Sequence, residues 1–149
     1  MSKNDGSEIE GFVRDVITAN NWSLHRLYDT KSAGKFLPSQ PADFIGVLNG
    51  VPLLLECKSS DRFDTFKDCK LKDFIKPTQY ASFTMWEKNG GCGLFVFYSL
   101  FGKKIEIWEG GTVRDAYREG WDETHEPSCT FKKKDLADKL VAEVEKWRW

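Results

Sequence analysis

Apolar residues Ile9, Phe12, Val13, Val16 and Ile17 recur at i, i+3, i+4, i+7 and i+8, which predicts an amphipathic helix over Ser7 to Asn20. Asp5 and Glu8 stand at its start with the spacing of a capping box, and their charges suit the helix dipole. Trp22 to Tyr28 fits a short strand, and Asp29 to Pro41, with Gly34, Pro38 and Pro41, reads as a loop. Two β-rich runs follow, Asp43 to Leu48 and Val51 to Lys58. They are separated by Asn49-Gly50, which tolerate the positive φ of a two-residue turn, so the pair predicts a hairpin. After a polar stretch, Ser59 to Lys76, Pro77 opens a helix that runs to Lys88 and ends at Asn89-Gly90-Gly91. Gly93 to Phe101 is nearly all apolar, as a strand covered on both faces would be, and its place after a helix suggests a βαβ crossover. Lys104 to Glu109 alternates like a strand, Gly110-Gly111 reads as a turn, and Thr112 to Glu119 as a short helix. A loop around Glu126, Pro127 and Ser128 precedes a last helix, Lys134 to Trp147, striped by Leu136, Leu140, Val144 and Trp147.

This order of elements defines an α/β fold, a central mixed sheet with helices on both faces. With 149 residues, 40% of them hydrophobic, and no linker or internal repeat, the chain fits a single domain over 1–149. Aromatic residues make up 14% of it, enough apolar surface to argue against disorder. No apolar run exceeds strand length and the N-terminus lacks an apolar leader, so the expectation is no membrane span and a cytoplasmic location. Cys57, Cys69, Cys92 and Cys129 lack the paired spacing of zinc sites and are expected as free, mostly buried thiols. The formal net charge of -1 gives no whole-molecule attraction to nucleic acid, so any DNA contact rests on a local patch.

The hairpin carries the chemistry. Leu48 faces Val51 across a two-residue turn, and the same register sets Asp43 opposite Glu56. Lys58, two residues beyond Glu56, falls on the same face by strand alternation. Facing carboxylates repel, so the pair calls for a cation, a raised pKa or an exposed setting. Mg²⁺, or Mn²⁺, would supply that cation through hard oxygen ligands while also binding phosphate oxygens. Asp43, Glu56 and Lys58 then suit phosphodiester hydrolysis, the metal activating water and Lys58 positioning it or stabilising the transition state. The competing reading is an exposed strand-end ion pair of Glu56 with Lys58, which stabilises little. Glu56 directly follows Leu53-Leu54-Leu55, and a charge ending a buried apolar run usually has a partner or a task, which favours chemistry.

Pro41-Ala42-Asp43, the hairpin and Glu56-Cys57-Lys58 resemble the signature of the PD-(D/E)XK nuclease superfamily, with one residue inserted between Pro and Asp. A longer set of matches resembles the RecU-type Holliday-junction resolvases. It comprises Gly6 and Glu10 at the opening of the first helix, Asp43-Phe44-Ile45-Gly46-Val47, the Asp-to-Glu spacing, Gln79 on the next helix, and the strand led by Gly90-Gly91. The resemblance covers about Gly6 to Phe101. It implies a restriction-endonuclease-like fold, an active-site set of Glu10, Asp43, Glu56, Lys58 and Gln79, and a homodimer that acts on four-way junctions. It also implies that the Cys57 carbonyl joins Asp43, Glu56 and Glu10 around the metal. Two features depart from the family. Only about a dozen residues separate Tyr28 from Asp43, where the family carries a long stalk that enters the junction. Pro41-Ala42 stand where the family has hydroxyl residues, a role Ser32 or Ser39 would fill as in the shorter archaeal resolvases. A compact phage-type version suits both features.

Arg62, Lys67, Lys70, Lys72 and Lys76 follow the catalytic strand, and Lys31 and Lys35 lie on the loop before it, as the two walls of a DNA groove would. Asp61, Asp64, Asp68 and Asp73 are interleaved, so a mixed-charge solvated loop is the alternative. Symmetric cutting of two strands requires two active sites and hence a twofold dimer, for which aromatic residues of the first and last helices are interface candidates, although six Trp in a small domain fit a core equally well. Three functions stay open: a junction resolvase, another DNA nuclease of the superfamily (restriction, repair or flap), and a non-catalytic DNA-binding module.

Overall fold

The computed structural model describes residues 7–27 and 40–148. Helix α1 (Ser7–Asn20) forms over its predicted span and buries Ile9 and Val13. Strand β1 (Ser23–Arg26) follows, then the hairpin of β2 (Phe44–Leu48) and β3 (Val51–Ser60), with Leu48 opposite Val51 and Phe44 opposite Leu55. Asn49 and Gly50 take φ of 52° and 83°, the conformation a two-residue turn demands. A four-residue helix, α2 (Leu71–Phe74), leads into α3 (Pro77–Lys88), β4 (Cys92–Ser99) and β5 (Lys104–Glu109). Helix α4 (Gly110–Glu119), β6 (Cys129–Phe131) and α5 (Leu136–Glu145) complete the order. The strands form one mixed sheet in sequential order, parallel between β3 and β4 and antiparallel elsewhere. The α/β architecture, a mixed sheet between helical layers, is compatible with a restriction-endonuclease-like fold. Among the described residues no helix is long and apolar enough to cross a membrane.

Strand alternation decides where the polar end of β3 emerges. Val51, Leu53, Leu55 and Cys57 enter one core with Ile9 and Val13 of α1 and Leu136, Leu140 and Val144 of α5. Leu54 enters the other, with Phe83 of α3, Phe95 and Trp108. Glu56 and Lys58 share the parity of Leu54 and therefore leave the sheet on that second face. Phe12 packs edge-on against Tyr98 and Trp147 lies against the first core, so both aromatic residues make contacts within the chain. The four thiols are free, with Cys57, Cys69 and Cys92 buried.

Three sequence expectations need correction. The stretch 59–76, expected as a polar connection with a solvated loop as its alternative reading, is ordered and partly buried: β3 continues to Ser60, a 3-10 turn forms at Phe66–Asp68, and Phe66, Cys69, Leu71 and Ile75 are buried. Phe66 stacks on Phe97 at 5.2 Å and meets Trp108 and Trp121 edge-on. Burying such a ring is worth ~2–3 kcal/mol and outweighs the surrounding charge pattern. Buried acceptors pin the backbone, with Ser60 Oγ taking the N–H groups of Arg62 and Phe63 and Glu106 Oε1 taking that of Phe66. Gly110 and Gly111 open α4 instead of forming a turn. A Cβ on Gly110 would overlap the Glu87 carboxylate, which pairs with Arg114 at 2.7 Å, so the glycine makes room for that ion pair. The last helix begins at Leu136, the first residue of its apolar stripe and not Lys134, behind a 3-10 turn at Lys133–Asp135, and it ends at Glu145, before Trp147; β6 is too short to carry a periodic signal.

Gly46 has a packing reason. It lies opposite Leu24 of β1, and a Cβ there would overlap the Ser23 carbonyl. Gly46→Ala is expected to lift β1 from β2 and cost roughly 1–3 kcal/mol. The readout is the urea midpoint; an unchanged midpoint would show that β1 moves aside without penalty.

Candidate active site

Five parts of the chain meet at one cleft of about 950 Å³. Glu10 comes from α1, Arg26 from the end of β1, Asp43 from the residue before β2, Glu56 and Lys58 from β3, and Gln79 from the first turn of α3. Asp43 continues the hairpin register one step past its last pair, Phe44 with Leu55. Its Oδ2 accepts the Cys57 backbone N–H at 2.8 Å, and its Oδ1 lies 3.6 Å from Arg26 Nη2. Burial pushes the Asp43 carboxyl from an ordinary 3.8 up to about 7; a hydrogen bond with Glu10 and the Glu10 charge add to the rise, while the Cys57 N–H and Arg26 oppose it.

Glu56 is 2% exposed. Its Oε2 accepts from Lys58 Nζ and from Gln79 Nε2, both at 2.9 Å. Its Oε1 is buried with no hydrogen-bond partner among the described residues. Burial pushes this carboxyl from 4.5 up to about 7; the Asp43 charge adds to the rise, and Lys58 and Gln79 oppose it. An exposed strand-end ion pair is therefore not what forms here. Gln79 serves twice, as its Oε1 accepts the Lys76 N–H at 3.2 Å in the first turn of α3 while its amide holds Glu56. Glu10 is likewise no solvated helix glutamate, since it pairs with Arg26 at 2.8 Å and its side chain is 15% exposed.

Of the basic residues expected to contact DNA, Arg62, Lys70, Lys72 and Lys76 line the cleft, as do the acidic Asp68 and Asp73. Lys67 does not: its ammonium donates to the His125 carbonyl at 2.8 Å and ties the segment to the loop after α4. Lys31, Ser32, Lys35 and Ser39 lie outside the described residues. The Cys57 thiol is buried in the core on the other face of the sheet, so only its backbone serves the site. A strand residue directs N–H and C=O to the same side, so the Cys57 carbonyl is aimed toward the edge where its N–H meets Asp43.

Arg26 is the cleft residue that sequence reasoning missed. Its signal lies in the register, because β1 sets Arg26 opposite Phe44, next to Asp43. A basic residue ending a four-residue strand does not show this until the partner strand is known.

No family model matches the chain, and no curated protein matches it. The chemistry must therefore be read from the donors themselves. Among the described residues, no three His, Cys, Asp or Glu side chains are gathered as a metal centre. Glu10 is held by Arg26 and Asp43 by the Cys57 N–H. The donors nonetheless suit a hard divalent ion. All are oxygens, the buried Glu56 Oε1 lacks a partner among the described residues, and burial disfavours the charged form of both Asp43 and Glu56.

Proposed function

We propose that the protein is a divalent-metal-dependent endodeoxyribonuclease that resolves four-way DNA junctions by paired phosphodiester hydrolysis. The observation that carries this reading is Glu56, a deeply buried carboxylate with one oxygen held by Lys58 and Gln79 and the other unpartnered among the described residues, close enough to Asp43 to feel its charge. Buried carboxylates are ordinarily fully hydrogen-bonded, and like-charged neighbours add to the cost of burial. A cation site accounts for both features. Asp43 and Glu56, with Glu10 and the Cys57 carbonyl beside them, would hold Mg²⁺ or Mn²⁺. When bound, the ion supplies Lewis-acid polarisation of the scissile phosphate and activation of water.

The chain's own groups account for the remaining tasks. Gln79 fixes Glu56 from α3, and Lys58 brings an ammonium group suited to the charge that develops on phosphoryl oxygens. Arg62, Lys70, Lys72 and Lys76 on the cleft wall suit the phosphates to either side. Paired cutting requires two such sites, so the active form is a twofold homodimer. The short connection between β1, which ends at Arg26, and β2, which begins at Phe44, is 17 residues and favours a second reading. It has no room for the family's stalk, and a general nuclease acting on duplex or flap DNA would need none.

The test is cleavage of a labelled four-way junction beside matched duplex and flap DNA, in Mg²⁺ or EDTA, by wild-type protein and Asp43→Asn. Paired nicks on the junction alone, absent in EDTA and in the variant, are expected. Equal cutting of duplex would select the general nuclease, and no cutting at all would leave a DNA-binding module.

A further inference from the structure

Two cations face the cleft carboxylates, and they face different ones. Lys58 pairs with Glu56. Arg26 pairs with Glu10 at 2.8 Å, stands 3.6 Å from Asp43 Oδ1, and packs over the Phe44 ring at 5.8 Å. Its side chain is 20% exposed, so the guanidinium is only partly screened by solvent. Arg26 thus takes up the charge of two carboxyls that a divalent ion would otherwise neutralise.

We propose that Arg26 is a resident counter-ion that competes with the divalent cation for the Glu10–Asp43 pair and so sets the metal affinity of the site. The inference rests on the metal-dependent reading above. A guanidinium stays charged at any accessible pH, so Arg26 keeps its positive charge beside Glu10 and Asp43 when an ion enters. Its contact with Phe44 also restrains it from swinging clear. An entering ion must therefore share Glu10 and Asp43 with a fixed positive charge, which weakens binding. In return, Arg26 holds together two carboxyls that would repel each other in the metal-free protein. Substrate phosphate brings negative charge and oxygen ligands of its own, so tight metal uptake waits for DNA.

The test is Mn²⁺ binding without DNA, followed by the electron paramagnetic resonance signal of the free ion, for wild type, Arg26→Gln and Arg26→Lys. Removing one positive charge beside a divalent ion in a partly solvated site should tighten binding about tenfold, and Arg26→Lys should stay within about threefold of wild type. Arg26→Met, which keeps an apolar contact with Phe44, takes the place of Arg26→Gln if that variant does not fold. Equal or weaker Mn²⁺ binding by the neutral variant, with wild type binding normally, overturns this proposal alone. A tenfold gain in Arg26→Lys also overturns it, because shape and not charge would then be responsible. No Mn²⁺ binding by any of the proteins overturns the metal-dependent reading, and this proposal with it.

Discussion

Glu56→Gln should bind a four-way junction as well as the wild-type protein does, cut it roughly 10²–10³-fold more slowly, and melt at a higher temperature in EDTA near neutral pH. Activity and stability move in opposite directions because the same feature controls both. Gln fills the volume of Glu and can still accept from Lys58 and Gln79, which contact Glu56 Oε2 at 2.9 Å. What it removes is a buried charge with an unpartnered oxygen beside another carboxylate. Losing that charge relieves the fold, yet it takes away the ligand on which metal binding would depend. Electrophoretic mobility shift on the junction, cleavage rates in Mg²⁺ and thermal melts in EDTA check the three parts. A variant that cuts normally removes Glu56 from the chemistry, and one that neither folds nor binds assigns it a structural role.

The metal-free protein should lose stability as the pH rises, the reverse of what salt-bridged carboxylates do. Asp43 and Glu56 have ordinary values of 3.8 and 4.5 and reach about 7 in the folded state. Between those limits the folded chain binds more protons than the unfolded one, so stability falls as the pH rises. The contribution is fully present below about pH 4, where both states are protonated, and is lost as the pH passes through about 7. In EDTA the melting temperature should drop by several degrees from about pH 5 to about pH 8. Saturating Mg²⁺ should restore most of the loss, because a bound ion stabilises the ionised pair. Glu87 is also pushed up by burial and contributes with the same sign, but its partner is Arg114 and not the cleft. The Mg²⁺-reversible part therefore isolates Asp43 and Glu56. A melting temperature that is flat or rises over this window would mean that the two carboxyls ionise normally in the fold.

What could be read along the chain was whatever neighbours in sequence decide. Asn49-Gly50 selects a two-residue turn, the turn sets the register, and the register carries Asp43 and the Glu56–Lys58 pair to one face. The spans of α1 and α3 were equally legible, because a helix declares itself through its own period and its ends. The polar run 59–76 misled because burial of Phe66 depends on rings supplied by Phe97, Trp108 and Trp121, all distant in sequence. Gly110 reads as a turn until the Glu87 carboxylate is seen to occupy the space of its missing side chain. Glu10 could be set on a helix edge, but its place in the cleft depends on Arg26, which arrives only when β1 pairs with β2. Turn geometry and periodicity are local and act through adjacent bonds. Contacts between distant segments form only once the sheet has closed, so the tertiary structure alone decided which charges Arg26 meets and which basic residues line the cleft.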